Sequence, residues 1–358
     1  MSKQRDDSGA ASRRPQRAEC NGAAVTVTVL DAGLEIAGPE GTRLLDWLDL
    51  DGVVEGEHQV RLELADGTWS TLSKLGAAHD HFVAELREQR RRARFAALTI
   101  ATDKPLVSYL SRAAAGLVDV HLYPKVLVAE PRIGYPVAAP LPLIERVERH
   151  GYDLTVVLRH LPSLAISALG VKTDEFLQRL AAARQDLQTT TSAAYAQYDE
   201  ALTGLSAPDG WALTAETAGP YWSGLLARAT SGSRAAEVQF LVERAGTDVA
   251  VGLYTDGGTR TVLPFVLAPV GDCVVVEATD GDDRATFVFR THDVARLNAV
   301  LLLTAFRREA LFLPDDQLGR WAIAARLWPA VREARAALVG RVVHDDNWQT
   351  RLSSVLGA

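Results

Sequence analysis

The sequence predicts an α+β protein of tandem antiparallel β-sheet or β-barrel modules. Each module is closed by a C-terminal amphipathic helix, and further helices follow at the C-terminal end. Two observations support this class. Segments whose apolar residues recur with a period of two give way to segments with a period near 3.6, which is the change from strand to helix. The chain also contains an internal repeat, which indicates duplicated structural units.

The repeat aligns residues 72–86 with residues 166–180 without a gap, at an offset of 94 residues. The identical pairs, including one just beyond the aligned segments, are Ser73/Ser167, Leu75/Leu169, Gly76/Gly170, Asp80/Asp174, Phe82/Phe176, Leu86/Leu180 and Arg90/Arg184. Such a gapless match predicts that both segments adopt the same local structure.

The repeated residues have expected structural roles. Gly76 and Gly170 stand where a strand turns into a helix, so we expect them to supply a positive φ or a close approach of helix to sheet. Phe82 and Phe176 are expected to fill the open end of each curved sheet. Leu86 and Leu180 are further residues of the structural repeat.

The first module is predicted over residues 23–100, after an arm at residues 1–22. The arm is polar without periodicity, which is typical of disorder. Alternating apolar residues then predict short strands, with a first turn at residues 31–33. The dipeptide Asp66-Gly67 predicts a tight hairpin, because type I′ turns need a positive φ that glycine adopts freely.

The second module is predicted over residues 118–205, after a linker helix at residues 101–117. Thr173 is expected to cap the module's helix, since its hydroxyl can accept from an amide in the first turn. This helix is predicted from Asp174 to about Leu205, roughly 45 Å at 1.5 Å per residue. A helix of this length extends beyond a single sheet, so we expect the far half of the helix to pack on another domain or chain.

A third, diverged module is predicted over residues 237–313, after a connecting segment at residues 206–236. Its predicted elements are strands at 237–244, 249–254, 261–267, 273–278 and 285–290 and a helix at 293–312. C-terminal helices are predicted over residues 314–358, with a helix from 315 to about 341.

Composition excludes several classes of protein. The chain of 358 residues is 47% apolar and 23% charged, which is ordinary for a globular protein. Its net charge of −7 repels a phosphate backbone, so nucleic acid is not an expected partner. Two cysteines give no disulfide framework, and the polar N-terminus lacks the pattern of a signal peptide. We therefore expect a cytoplasmic protein, and its high alanine and arginine content is typical of a GC-rich bacterium.

A sheet of short antiparallel strands that ends in a hairpin and is closed by one amphipathic helix resembles the pleckstrin-homology (PH) superfold, here in tandem. The residues that carry the resemblance are Val60 to Phe82 with Leu86, and Leu154 to Phe176 with Leu180. The resemblance implies binding of phosphoinositides, peptides or proteins, or self-assembly. Lipid binding in this superfold uses basic residues in the first loop. That loop lacks Lys and Arg at residues 30–33, and the second copy offers only Lys125 nearby.

The densest charge cluster lies between Arg87 and Arg94, which includes five arginines. A guanidinium presents a bidentate fork to anionic lipid, phosphate or an acidic partner. Candidate binding residues on this helix are Arg87, Arg90, Arg91 and Arg94. The alternative is a solvated helix face on which the arginines pair with Glu85 and Glu88.

Metal and catalytic signatures give no candidate. In His79-Asp80-His81 the two histidines are two residues apart, and such positions on a regular helix cannot chelate one ion. An acid at the start of a helix explains Asp80 better. The chain has no G-x-S-x-G, P-loop, G-x-G-x-x-G or H-E-x-x-H motif. We predict no catalytic residue, metal site or cofactor.

The repeated architecture without catalytic signatures predicts a non-enzymatic scaffold or adaptor that mediates protein–protein interaction or self-assembly. The alternative is peripheral membrane or anionic-ligand binding through residues 87–94. An enzyme with a site assembled between modules is a third possibility, since catalytic triads need no local signature.

Overall fold

A computed structural model describes residues 14–98, 104–113, 116–255, 262–278, 285–318 and 328–357. The chain divides into two compact units. Unit 1 comprises Met1–Thr102, Ala115–Asp119 and Glu130–Pro136, and unit 2 comprises Asp103–Ala114, Val120–Ala129 and Val137–Ala358. The described residues form four antiparallel sheets with helices after them, which confirms the α+β class. None of these four sheets closes into a barrel, so the barrel prediction is not supported.

Unit 1 contains a seven-stranded sheet followed by one long helix. Its strands are β1 (Gln16–Cys20), β2 (Ala23–Val29), β3 (Gly33–Gly38), β4 (Gly41–Asp46), β5 (Leu50–Glu55), β6 (Gln59–Leu64) and β7 (Trp69–Ser73). The order in the sheet is β4-β3-β2-β1-β7-β6-β5. A 3-10 turn, Gly76–Ala78, leads into helix α1, His79–Ala97. Phe82 and Leu86 of α1 are buried against the inner face of the sheet, where the core of unit 1 lies.

The predicted disordered arm is wrong for residues 16–20, which form β1. This strand pairs with β2 on one side and with β7 on the other. Backbone hydrogen bonds to two neighbours and the burial of Ala18 stabilise a strand whose other side chains are mostly polar. Residues 1–13 of the predicted arm lie outside the described residues.

Seven more strands and a second long helix follow. The strands are β8 (Val107–Ala113), β9 (Gly116–Leu122), β10 (Val126–Pro131), β11 (Val137–Pro140), β12 (Ile144–His150), β13 (Asp153–Leu158) and β14 (Leu164–Ile166). They form a sheet of order β11-β10-β9-β8 and a sheet of order β12-β13-β14. A 3-10 turn, Gly170–Lys172, leads into helix α2, Thr173–Tyr198. We call β1–β7 with α1 the first module and β8–β14 with α2 the second module.

The predicted linker helix at 101–117 is wrong, because Val107–Ala113 is strand β8. Tyr109 and Ser111 are buried, whereas Leu110 between them is 56% exposed. This alternation has the period of a strand, so the segment buries every second residue.

The two modules repeat each other at the offset of 94 residues over more of the chain than the sequence identities suggest. Strands β6 and β13 begin and end at positions related by this offset. The register of β5 with β6 shifts between Leu50 and Gly52, and that of β12 with β13 shifts between Ile144 and Arg146. The duplication is therefore visible in the structure from residue 50 onward. The two modules even share the same register shift between paired strands.

The turn that joins strand to helix has the same backbone conformation in both modules. Gly76 and Gly170 have φ values of 57° and 58°. Two residues earlier, Lys74 and Ala168 both have a φ of 59°. The glycines therefore adopt the expected left-handed conformation, and each turn also holds one non-glycine residue in it.

Helix α2 begins and ends differently from the prediction. Thr173 is its first residue and not its cap, and its hydroxyl donates to the carbonyl oxygen of Gly170 at 2.8 Å. The helix ends at Tyr198, and not near Leu205. Its far half packs on the remainder of unit 2, where the Tyr195 hydroxyl donates to the carbonyl oxygen of Leu253 at 2.7 Å.

The rest of unit 2 contains a single five-stranded sheet covered by helices. Its strands are β15 (Ala250–Tyr254), β16 (Leu263–Val270), β17 (Cys273–Ala278), β18 (Ala285–Phe289) and β19 (Leu338–Val343), in that spatial order. The helices are α3 (Ala215–Ala218), α4 (Trp222–Ala229), α5 (Ala235–Ala245), α6 (Val294–Leu303), α7 (Glu309–Phe312), α8 (Pro329–Ala337) and α9 (Trp348–Val355). This sheet does not repeat the seven-stranded order of the first module in the residues described.

Two predicted elements of this region have the wrong type. Residues 237–244 are helical, because Val238 and Leu241 are buried at a spacing of three, which a helix and not a strand brings to one face. Residues 338–341 belong to strand β19, which pairs with β18 and so extends the sheet.

The helix predicted at 293–312 is interrupted. It is divided into α6 and α7, and Ala305 and Phe306 between them have positive φ values that a continuous helix cannot contain. Much of the helix predicted beyond residue 318 lies outside the described residues. No helix in the described part of the chain has the length and apolarity needed to cross a membrane.

Candidate functional site

The arginine cluster of α1 is largely buried and does not form an open patch. Arg90 and Arg94 are 3% and 0% exposed. Both donate to the carbonyl oxygen of Leu50 at the start of β5, Arg90 through Nε at 2.9 Å. Both also donate to the carbonyl oxygen of Gly134. These two guanidinium groups connect α1, β5 and residues 130–136 within unit 1.

The other two predicted binding residues face acids on the surface of unit 1. Arg87 pairs with Glu55 at 2.9 Å, and Arg91 pairs with Glu88 at 2.6 Å. The helix therefore directs Arg90 and Arg94 inward and Arg87 and Arg91 outward. The four residues do not converge on one anion, and the pairing of Arg91 with Glu88 agrees with the alternative of an internally paired helix face.

A short segment of the chain fills the groove between β5 and α1. Ile133 forms an isolated antiparallel bridge with Gly52 of β5. The ring of Tyr135 lies 4.2 Å from the Arg94 guanidinium carbon, and its hydroxyl donates to the carbonyl oxygen of Leu48 at 3.3 Å. We call residues 133–135 the plug segment. These contacts show that the loop between β10 and β11 packs into this groove of the first module.

The pKa of Arg94 is lowered to about 9, first by burial and second by the positive charge of Arg90. The guanidinium is still charged at neutral pH. A buried cation of this kind needs oxygen acceptors, and backbone carbonyls together with Asp51 at 3.7 Å supply them.

The second module has a cavity lined by Pro142, Ile144 and Arg184, which the offset of 94 relates to Leu48, Leu50 and Arg90 of the first module. The cavity has a volume of about 330 Å³ and lies entirely within unit 2. It is lined by residues at the start of β12, along α2, after β13 and at 208–209. We call it the arginine cavity, because Arg159 and Arg184 both line it.

Arg184 is held in the cavity wall as Arg90 is held in unit 1. One guanidinium nitrogen donates to the carbonyl oxygen of Ile144 at 2.7 Å. Ile144 is the first residue of β12, and it follows Leu50, the first residue of β5, at the offset of 94. The repeat thus preserves the contact between helix and strand.

Arg159 adds a second guanidinium to the cavity. Its backbone amide donates to the carbonyl oxygen of Leu143 at 2.8 Å, which fixes the residue at the end of β13. Its guanidinium lies 5.7 Å from the centre of the Trp211 ring. Its Nε is buried and has no hydrogen-bond partner in the described part of the chain. Ala65 occupies the equivalent position in the first module.

The cavity carries an excess of positive charge. Its one carboxylate, Asp209, accepts hydrogen bonds from the amide and hydroxyl of Thr255. The pKa of Arg184 is lowered, first by burial and second by the charge of Arg159. The hydroxyl of Thr191, also in the wall, is buried without a partner among the residues described. This arrangement favours a ligand that brings oxygen acceptors and negative charge.

The helical spacing of the sequence contained a signal for the buried arginines. Phe82, Leu86, Arg90 and Arg94 follow one another at intervals of four, so the two arginines continue the buried stripe of α1. The identity of Arg90 with Arg184 marked the equivalent position in the second module. No sequence signal pointed to Arg159, which enters the cavity only because β13 ends beside α2.

A cluster of possible metal ligands lies at the start of α1. Ligand atoms of Glu55, His79 and Asp80 lie within 4.8 Å of one another. The sequence pattern drew attention to His79 and His81, whereas the structure brings Glu55 from β5 beside His79 and Asp80. Glu55 also pairs with Arg87, and His79 Nδ1 lies 3.0 Å from Asp80, so both already have partners.

Comparison of the chain with protein-family models and with curated proteins finds no match.

Proposed function

We propose that the chain is a non-enzymatic scaffold or adaptor, built from tandem modules of the PH type, that holds a protein partner or a second copy of itself. One observation carries the proposal. The two modules repeat the same groove between helix and strand, and the first module fills its groove with the plug segment, while the second has the arginine cavity there. A site that accepts a peptide segment in one copy is suited to accept a segment of another chain in the other copy.

The cavity is accessible to a partner because residues at its rim lie on the surface. Gln185 and Ala181 of α2 line it and are exposed. A partner segment can therefore reach Arg184 without opening the fold, as expected for a preformed binding site.

Site-specific photo-crosslinking in cells of the native host tests the proposal. A photoreactive residue is placed at Gln185, and a matched control carries it at Gln239, an exposed glutamine on α5. We expect a covalent adduct with a protein partner or with a second copy from position 185 and none from position 239. The same adducts from both positions, or none from 185, would contradict the proposal.

The alternative function, binding of an anionic membrane through Arg87, Arg90, Arg91 and Arg94, has less support, because two of these side chains are buried and two are paired. Liposome co-sedimentation at two salt concentrations separates the two functions. Electrostatic lipid binding falls steeply with salt, whereas the proposed scaffold leaves the vesicles unbound at both concentrations.

A further inference from the structure

The plug segment shows which chemistry the groove of this module accepts. Arg90 forms three side-chain hydrogen bonds, to the carbonyl oxygens of Leu50, Asp51 and Gly134. The first two acceptors belong to β5, and the third belongs to the plug segment. The groove therefore recognises its occupant through a planar oxygen acceptor placed against the arginine of the repeat.

The equivalent arginine of the second module lacks this third kind of acceptor. Arg184 forms one side-chain hydrogen bond in the described part of the chain, to Ile144 of its own module. The Tyr135 ring of the plug segment reaches Leu48, whose equivalent at the offset of 94 is Pro142, a residue of the cavity wall. The arginine cavity therefore lies beside the equivalents of Leu48 and Arg90, two residues that the plug segment contacts in the first module.

Charge distinguishes the two grooves. In the first module Asp51 lies 3.7 Å from Arg94 and offsets part of the positive charge. Its equivalent in the second module is Glu145, which lies 3.7 Å from Arg146. The cavity instead contains the additional guanidinium of Arg159. Each groove thus has two guanidinium groups, but in the first module Asp51 and Glu130 act on Arg90 and Arg94 with negative charge. The cavity has one carboxylate in its lining, Asp209, which already accepts from Thr255, so the cavity favours an occupant with a full negative charge.

We propose that the arginine cavity binds a peptide segment of the partner through a carboxylate that Arg159 and Arg184 hold between them. The inference rests on the proposed function and names the chemistry of the bound segment. Arginine suits a carboxylate because its planar donors match the two oxygens. A cavity of about 330 Å³ is at the small end of ligand sites, so it holds one anchoring residue and not a long stretch of peptide.

Two sources of the carboxylate are distinguishable with synthetic peptides. Random hexapeptides are prepared as three pools: free C-termini without Asp and Glu, amidated C-termini with Asp and Glu, and amidated C-termini without either acid. Each pool is passed over the immobilised full chain, and retained peptides are quantified by mass spectrometry. We expect one of the first two pools to be retained about tenfold more than the third, a difference of about 1.4 kcal/mol. Retention of the first pool would identify a C-terminal carboxylate, and retention of the second pool would identify a side-chain carboxylate.

Two variants assign the binding to the cavity. Arg184→Gln removes a hydrogen bond to Ile144 and can weaken the fold. Arg159→Gln is therefore the principal variant, since the buried Nε of Arg159 has no hydrogen-bond partner among the described residues. We expect Arg159→Gln to abolish the preference for the acidic pool. Arg149→Gln is the control of equal charge, because Arg149 is an exposed residue of β12 paired with Asp174.

The inference is wrong if no pool is retained, if the neutral pool is retained equally, or if Arg159→Gln and Arg149→Gln behave alike. These outcomes are separable from failure of the proposed function. A crosslink from position 185 that persists in the Arg159→Gln protein would support partner binding in the cavity and reject the carboxylate.

Discussion

Arg90 and Arg184 lie 94 residues apart, and each donates to the carbonyl oxygen of the first residue of a strand, Leu50 at 2.9 Å and Ile144 at 2.7 Å. One donor thus joins the helix to the sheet in both modules. The contact also leaves further donors of each guanidinium facing the groove, where a carbonyl oxygen of the plug segment accepts in the first module. A single repeated residue therefore has a structural role in both modules and contacts the groove's occupant in one of them.

Replacing Phe82 or Phe176 with alanine should strongly destabilise the module concerned. Both rings are almost fully buried, so truncation removes apolar contact and leaves a cavity. We expect a loss of about 3 to 5 kcal/mol in the free energy of unfolding, measured by urea denaturation. Val171→Ala is the control, because Val171 is 95% exposed and should change stability little. A loss under about 1 kcal/mol at either phenylalanine would contradict its place in the core.

The strand-to-helix turn allows two substitutions with opposite expected effects. An added Cβ at Gly170 would meet no atom within 4 Å, so Gly170→Ala tests the backbone conformation alone. We expect it to destabilise by about 1 kcal/mol, because an L-residue at a φ of 58° is strained. Ala168→Gly should stabilise by up to about 1 kcal/mol for the same reason. Thermal unfolding of the two variants measures both signs, and a shift in the same direction for both would reject the explanation.

Removing Arg94 should loosen the plug segment. Arg94→Met keeps much of the side-chain volume but leaves the carbonyl oxygens of Leu50 and Gly134 with fewer donors. We expect a loss of about 2 to 4 kcal/mol at pH 7 by urea denaturation. Hydrogen exchange should rise at residues 130–136 before it rises in the core of the sheet. Arg92→Met, at an exposed position of the same helix, is the matched control.

The pH dependence of this variant follows from the lowered pKa of Arg94. In the folded protein the pKa of Arg94 is about 9, and in the unfolded chain it returns to the higher value of a solvated guanidinium. Between these values the unfolded state binds more protons, so the contribution of Arg94 to stability is constant at neutral pH and increases above about pH 9. The difference in stability between the native chain and Arg94→Met should therefore be larger at pH 10 than at pH 7, by about 1 kcal/mol. An equal or smaller difference at pH 10 would contradict this.

Tyr195→Phe tests the attachment of α2 to the five-stranded sheet of unit 2. The hydroxyl is buried and donates to the carbonyl oxygen of Leu253, which would be left without this donor. Burial first, and the negative charge of Asp209 second, raise the pKa of Tyr195 well above its usual value, so the hydroxyl remains protonated and able to donate. We expect a loss of about 1 to 3 kcal/mol in urea denaturation. Tyr152→Phe, at an exposed tyrosine, should have no comparable effect.

The sequence was most informative where one residue pattern has one structural solution. The gapless repeat predicted the turn at Gly76 and Gly170 and the helix after each, because local backbone requirements determine both. It was least informative for polar strands such as residues 16–20, whose stability comes from backbone pairing with distant strands. The helix at 237–244 was mistaken for a strand because Val238, Phe240 and Val242 alternate, while the burial of Val238 and Leu241 follows the helical period.

The candidate site shows the same limit. Arg90 and Arg94 stand in the sequence among other arginines, and charge alone predicts an exposed patch. Their burial depends on acceptors at Leu50 and Gly134, roughly 40 residues away along the chain. Arg159 and Arg184 meet in one cavity for a similar reason, since tertiary packing and not spacing brings β13 beside α2.

The plug segment has a consequence for how the protein is made. During synthesis, residues 14–98 leave the ribosome well before residues 133–135. In that interval Arg90 and Arg94 lack one of their acceptors, the carbonyl oxygen of Gly134. The groove of the first module is open in that interval and closes when the later stretch of chain emerges. A fragment ending at residue 102 would lack residues 133–135 altogether, so Arg90 and Arg94 would keep donors for a carbonyl oxygen that only the longer chain supplies.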